Sequence, residues 1–387
     1  MKIITKTAQA ISISLQKLHV RYVELLTCAP IAIPLTVVCF LALFLGMDPL
    51  ASLLDPQQAT PTKAIVAVTL LLGYTAYAML EGGSDQASFS AEQIAKNLGL
   101  PLAVMMGILA FGTSLSEGGS VLVGVQKGDT QFIYQAIVGS DFFQAAFLMP
   151  LCILVCNRRA WRAERLRIDM ILTSCMTGTI AIVPYVGLLG TTLAGMGLLF
   201  AILAFIQFNI DTPSDAIEQQ DENPTIDEQG INTLQALYKL VFPGFGVLLL
   251  GSNYMYVAVN YLVNVLQWPD FLKGFFVAVS SSAGEMFTTL PQVSAGNMPL
   301  SMATIALLGS NVCDTTFMLL GALYLSIVRQ EPMIIEASVV NILPGICTMV
   351  VTIALTVMTF RPRLPRGFAM MCMVIYFGCF MGQILLG

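Results

Sequence analysis

Apolar stretches long enough to cross a bilayer recur from one end of this chain to the other, and no other feature restricts its fold as strongly. A hydrocarbon core of about 30 Å takes roughly 20 helical residues to span. Such stretches stand at residues 29–46, 64–81, 98–123, 131–156, 169–189, 191–210, 240–266, 272–295, 300–327, 335–359 and 367–386. They are continuously apolar, without the alternation that a membrane barrel strand requires. Inside lipid a backbone must satisfy its polar groups within its own segment, so helix is the structure expected of each. Only 11% of the 387 residues are charged, against roughly a quarter in a soluble domain. The expectation is an all-α polytopic membrane protein of about 11 transmembrane helices, with the lipid bilayer as its surroundings.

The formal charge of −5 resides mainly in loops and implies no nucleic-acid partner. Nine cysteines lie almost entirely within apolar stretches, which suits packing. Cys152 and Cys156 stand one helical turn apart, but the single histidine is the distant His19, which argues against zinc. No cofactor is implied. Residues 1–28 carry Lys2, Lys6, Lys17 and Arg21 and lack a small-residue cleavage site, so they read as a retained lead-in to the first helix.

Basic residues orient the bundle. Arg158, Arg159, Arg162, Arg165 and Arg167 crowd one short loop, and Arg361, Arg363 and Arg366 another. With eleven spans and a cytoplasmic N-terminus both loops fall in the cytoplasm, as the positive-inside rule requires, and the C-terminus is external. In a bacterium the location would be the inner membrane. Residues 211–233 form a long polar connection rich in Asp and Glu, without EF-hand spacing, and read as a cytoplasmic linker. Setting the first helix aside, five spans precede the linker and five follow. An odd number per half forces opposite orientations, the inverted-repeat architecture of many secondary transporters. The expected organisation is residues 1–60 as lead-in and extra helix, 61–210 as first repeat, 211–235 as linker and 236–387 as second repeat.

Four ionisable residues lie deep in the spans: Glu117, Asp141, Glu285 and Asp314. A charge at mid-membrane costs roughly 2.5–3.5 kcal/mol on translocon scales. No basic residue lies at comparable depth to compensate, so metal ions or protons must. The acids occupy the second and third helices of each half. Thr113 and Ser114 share a helical face with Glu117, as Ser281 and Ser282 do with Glu285. Ser140 stands four before Gln144, and Ser310 four before Asp314. Asp141 lies three before Gln144, so both can face one cavity, where Asp141 would be a further ligand that adds negative charge. Shells of oxygen alone suit hard cations such as Ca2+. Gly112, Gly118, Gly119 and Gly284 flank the glutamates and suit either local unwinding or close helix packing.

Residues 112–117, Gly-Thr-Ser-Leu-Ser-Glu, resemble the GTSLPE signature of the sodium/calcium exchanger (cation/calcium antiporter) superfamily. Residues 139–144, Gly-Ser-Asp-Phe-Phe-Gln, are similar to its later GSN signature, and 309–314, Gly-Ser-Asn-Val-Cys-Asp, match that signature better. The repeat motifs thus span 112–144 and 280–314. The resemblance implies ten core helices around a central site that works by alternating access. Its ion ligands would be Glu117, Gln144, Glu285 and Asp314, with further oxygens from Thr113, Ser114, Ser140, Ser281, Ser282 and Ser310. Departures mark a divergent member: Ser116 and Gly284 replace the usual proline, Gln144 stands where Asn or Asp is usual, and Asp141 replaces an asparagine.

The expected activity is exchange of Ca2+, or another divalent cation, for Na+, with metal cations as substrates and no enzymatic reaction. A H+-coupled exchanger of the same fold is the alternative. An intramembrane hydrolase using Asp141 and Asp314 lacks the Gly-x-Gly-Asp motif and leaves the two glutamates unexplained. A relative that no longer transports is a further reading.

Overall fold

A computed structural model describes residues 20–28, 62–98, 114–156, 194–199, 232–269, 271–296, 300–335, 338–358 and 364–386, with a few isolated positions besides. The described residues are helical throughout, apart from turns and connections. Eight long helices carry the fold: α1 (Thr62–Asn97), α2 (Leu115–Lys127), α3 (Thr130–Val155), α4 (Thr233–Leu266), α5 (Phe271–Ala295), α6 (Leu300–Ile327), α7 (Val339–Met358) and α8 (Arg366–Leu386). Among them α3, α4, α7 and α8 are long and apolar enough to cross a membrane on length and composition alone. These helices are consistent with an eleven-helix, all-α membrane protein. The expected spans 29–46 and 169–189 lie outside the described residues save for isolated positions, as do most of 98–113 and 191–210 and the acidic linker.

Two spans are longer than their hydropathy suggests. The stretch 64–81 continues without a break to Asn97, because residues 82–97 hold no proline and their two adjacent glycines are packed rather than strained. A Cβ on Gly83 would meet the backbone of Leu248 in α4 at 2.6 Å. The second such helix starts at Thr233 rather than 240, capped by Asn232, which accepts from the Gln235 N–H at 2.8 Å. Hydropathy marks where lipid is, whereas capping and the absence of breakers decide where a helix ends.

Prolines leave a different mark. Pro150 offers no N–H to the carbonyl one turn back, and just ahead of it α3 widens into a π-helical turn over Gln144–Leu148. Pro243 sits inside a second wide turn, Leu240–Gly246, in α4. The first of these starts at Gln144, an expected ligand.

Packing pairs the two halves. Helix α1 lies on α4, α3 crosses α5, and α2 meets α6. Each pair joins one helix from before the linker to one from after it, so the described helices of the two halves are buried against each other. The α3–α5 crossing is close because Gly274 faces Gln135, whose Cβ and backbone occupy the space a side chain at 274 would need. The turn from α2 to α3 is fixed by Gly128, which takes the left-handed conformation (φ 71°). It is also fixed by Asp129, which accepts from the Phe132 N–H at 3.0 Å and from the Tyr256 hydroxyl of α4 at 3.0 Å.

Candidate functional site: a buried carboxylate and hydroxyl cluster

Helix α2 begins at Leu115, with Ser114 just ahead of it, which puts Glu117 in the first helical turn. The peptide N–H groups of that turn favour a negative charge. The counterpart Glu285 lies within α5, which runs unbroken through Gly284. Unwinding beside the second glutamate, one of the two uses open to these glycines, is therefore not what α5 adopts. Thr113 lies outside the described residues.

Glu117 is 2% exposed and Asp314 is fully buried, as are Ser114, Ser140, Gln144, Ser282 and Ser310. Ser140 is the hub. Its hydroxyl lies 3.2 Å from Glu117 Oε1, 3.2 Å from Asp314 Oδ2 and 2.7 Å from the Ser282 hydroxyl. Ser282 reaches the same Glu117 oxygen at 3.5 Å. Ser116 donates to Glu117 Oε2 at 2.6 Å, a role that sequence reasoning did not give it. An i−1 serine points away from the glutamate on an ideal helix, so no periodicity argument would have found it. Ser114 shares a 2.8 Å bond with Ser310. Gln144 holds its Nε2 3.4 Å from each of Ser140, Ser282 and Ser310, while its Oε1 has no partner. Nitrogen and oxygen of such an amide exchange places by a flip, so Gln144 can present either group to the three hydroxyls.

Ser281 is buried and donates to the carbonyl of Ala278 at 3.0 Å, and its hydroxyl lies within reach of Glu117. Glu285 is part-exposed and stands beside Ser310. Asp141 is 1% exposed and stands next to this network without joining it, since neither of its carboxylate oxygens has a hydrogen-bond partner. The four acids lie within electrostatic range of one another, and among the described residues no lysine, arginine or histidine acts on any of them. Among the described residues no three acidic, cysteine or histidine side chains converge on one point. Hydroxyls and an amide fill the positions between the carboxylates, which makes this an oxygen cage of mixed charge.

Proton counting shows what the cage lacks. Ser140 has one proton and three acceptors around it, two of them carboxylates, so it cannot satisfy both acids. Buried charge left without a donor or a counter-charge is costly. A hard cation would convert the competing acceptors into ligands.

A helical fold of paired halves with a basic-free oxygen cage at their junction defines a membrane transporter of cations. The family model described as sodium/calcium exchanger protein matches residues 68–210 and again 238–385, and the chain belongs to that family. No individually curated sequence matches it. Similar solved structures include that of native YfkE, at 13% identity over 90% of this chain and 100% of the other, with TM-score 0.59. The H+/Ca2+ exchanger CAX is similar at 12% identity over 91% of each chain, with TM-score 0.58. The sodium-calcium exchanger NCX_Mj, soaked with Na+ and Sr2+, is similar at 16% identity over 82% of this chain and 99% of the other, with TM-score 0.53. At such identities the likeness is one of fold. The family is one of transporters, and the paired-aspartate hydrolase loses its footing.

Proposed function

We propose that the chain is a secondary active antiporter that exchanges Ca2+, or another divalent cation, for Na+ by alternating access at the buried cage. The observation that carries this reading is the Ser140 hub. It ties Glu117 before the linker to Ser282 and Asp314 after it, with too few hydroxyl protons and, among the described residues, no basic side chain to neutralise the acids. Ion ligands are Glu117, Asp314, Glu285 and Gln144 through Oε1, with hydroxyl oxygens from Thr113, Ser114, Ser140, Ser281, Ser282 and Ser310. The three carboxylates balance a divalent charge with one negative charge left over, and the remaining oxygens bring the shell toward the six to eight that Ca2+ takes. The inverted halves, 61–210 and 236–387, then supply alternating access by rocking about the site they share.

A second reading, coupling to H+, draws on the hydroxyls that link Glu117 to Asp314 through Ser140, because such a chain can relay a proton between two acids. Flux into vesicles holding the purified protein, with Na+ and pH gradients imposed separately, decides between them. Divalent uptake driven by a Na+ gradient at equal pH supports the first reading. Uptake driven only by a pH gradient replaces it with the second, and no uptake under either removes both.

A further inference from the structure

Where α3 meets α6, beside the cage, stands a second group of oxygens that the cage does not use. Asp141 is 1% exposed with both carboxylate oxygens unpartnered. Asn311 and Thr315 of α6 are fully buried next to it. Asn311 donates its Nδ2 to the backbone carbonyl of Asp141 at 3.4 Å, which leaves its Oδ1 without a partner. The Thr315 hydroxyl lies within reach of the Asp141 carboxylate, yet its proton goes to the carbonyl of Asn311 at 2.8 Å.

The Thr315 proton and one proton of Asn311 Nδ2 go to backbone carbonyls, so the Asp141 carboxylate and Asn311 Oδ1 keep their lone pairs unused. An ionised carboxylate buried among acceptors is strongly unfavourable. A cation reverses the sign of every one of those contacts. The set is oxygen only, which selects a hard ion, and it holds a single acid, which suits one positive charge rather than two. Sequence symmetry sharpens the point. Asp141 and Asn311 are the third residues of Gly-Ser-Asp and Gly-Ser-Asn in the two repeats, and they touch across the junction of the halves. Two amides there would carry no charge and two acids would carry a pair, whereas this chain has one of each.

We propose that Asp141, Asn311 Oδ1 and Thr315 Oγ1 form a second cation site, specific for Na+ and separate from the divalent site of the cage. It rests on the antiporter reading only for what the bound Na+ accomplishes. Asp141 acts electrostatically on Glu117 and Asp314, so Na+ held there weakens divalent binding in the cage through charge, without sharing a ligand. That is the coupling an exchanger needs, and by linkage a divalent ion in the cage weakens Na+ binding equally.

The test uses the purified full chain in detergent, with Ca2+ binding followed by calorimetry and Na+ binding by the rise in unfolding temperature as Na+ replaces choline. Asp141→Asn and Thr315→Val are nearly isosteric, and Glu117→Gln serves as the cage variant. Asp141→Asn is expected to lower Na+ affinity tenfold or more, and Thr315→Val by about threefold, from loss of a charged and a neutral ligand respectively. Without Na+, Thr315→Val keeps Ca2+ affinity within about threefold of wild type, whereas Asp141→Asn lowers it to about the level that saturating Na+ produces in wild type, because both cancel the charge at position 141. Added Na+ then weakens Ca2+ binding no further in Asp141→Asn, and Thr315→Val needs about threefold more Na+ for the same effect. Glu117→Gln shows the reverse, losing Ca2+ while still responding to Na+. A wild-type Na+ response in Asp141→Asn overturns the proposal, and so does loss of Ca2+ binding in that variant to the extent seen in Glu117→Gln. If wild type binds no Ca2+ at all, the antiporter reading fails, while a Na+ response that vanishes with Asp141 still upholds the site.

Discussion

Ser140 of α3 and Ser282 of α5 share a hydrogen bond of 2.7 Å, and its mate under the repeat symmetry joins Ser114, just ahead of α2, to Ser310 of α6 at 2.8 Å. Ser114 and Ser282 each stand three residues before their glutamate, and Ser140 and Ser310 each follow the glycine of their motif. Both bonds cross from one half of the chain to the other. The cage is thus a product of the pairing and belongs to neither repeat.

That equivalence sets the first expectation. Ser114→Ala and Ser282→Ala each remove one cross-half hydroxyl, and each is expected to weaken divalent binding by a similar factor, roughly 3- to 10-fold for one hydrogen-bonding group. Calorimetry on both variants checks it. A large loss in one beside none in the other would mean that the two bonds are not functional equivalents.

Charge at the cage sets the second. Glu117→Gln keeps the shape of the side chain and its bond from Ser116 while removing the charged ligand. Coupled flux in vesicles should vanish. Insertion and folding should persist, because a neutral group is cheaper in the membrane than a charged one by as much as ~2.5 kcal/mol. Glu285→Gln should behave alike. Membrane yield and flux of each variant, measured side by side, separate a transport defect from a folding defect, and wild-type flux in either would remove that glutamate from the site.

Packing at the crossing of α3 and α5 is equally open to test. A side chain at position 274 collides with Gln135, backbone included, whereas one at 378 meets nothing within 4 Å. Gly274→Val is expected to cost at least ~1–3 kcal/mol by overpacking, and to reduce Ca2+ binding because α3 and α5 carry Ser140 and Ser282. Gly378→Ala should leave the unfolding temperature nearly unchanged. Equal unfolding temperatures for the two variants would show that the crossing is looser than Gly274 implies.

Much of this was legible in the residues. Periods of hydropathy located the described helices, and the matched depth of Glu117, Asp141, Glu285 and Asp314 singled out the four acids that the fold brings within electrostatic range of one another, because lipid penalises a charge that has no purpose. What could not be read was which atoms meet. Ser116 bonds Glu117 from the adjacent position, and Asn311 of α6 donates to the backbone carbonyl of Asp141 across the junction of the halves. Such contacts depend on rotamers and on the crossing of distant helices, neither of which helical periodicity encodes. Helix ends were missed for a related reason. Residues 82–97 are too polar to register as a span, yet they continue α1 because nothing stops it and because α4 packs along it.

The sidedness expected from the distribution of Arg and Lys is open to direct measurement. Single cysteines at Ser214 in the acidic linker and at Gly387, placed in a chain freed of its own thiols, are expected to react with an impermeant reagent from opposite faces of the membrane. Reaction from the same face would mean one span more or fewer than eleven.

Gln144 offers the sharpest test of the cage. It is fully buried at the start of the wide turn in α3, with three hydroxyls 3.4 Å from its Nε2 and an Oε1 that bonds to nothing. As an ion ligand it must turn Oε1 inward, which takes the amide N–H groups away from the serines that now accept them. Gln144→Glu removes that step, since both terminal atoms are then oxygens, and it places a further negative charge near Glu117 and Asp314. Without ions the added repulsion should lower the unfolding temperature. With Ca2+ the same charge becomes a ligand, so the stabilisation by Ca2+ should exceed that of wild type and the affinity should rise by about tenfold, the effect of one charge-assisted contact. Turnover should fall, because an ion held more tightly in the ground state leaves more slowly. Unfolding curves with and without Ca2+, together with vesicle flux, read all three effects. A variant whose Ca2+ affinity and unfolding temperature both equal those of wild type would place residue 144 outside the ion's coordination shell and leave the hydroxyls and the glutamates to hold it.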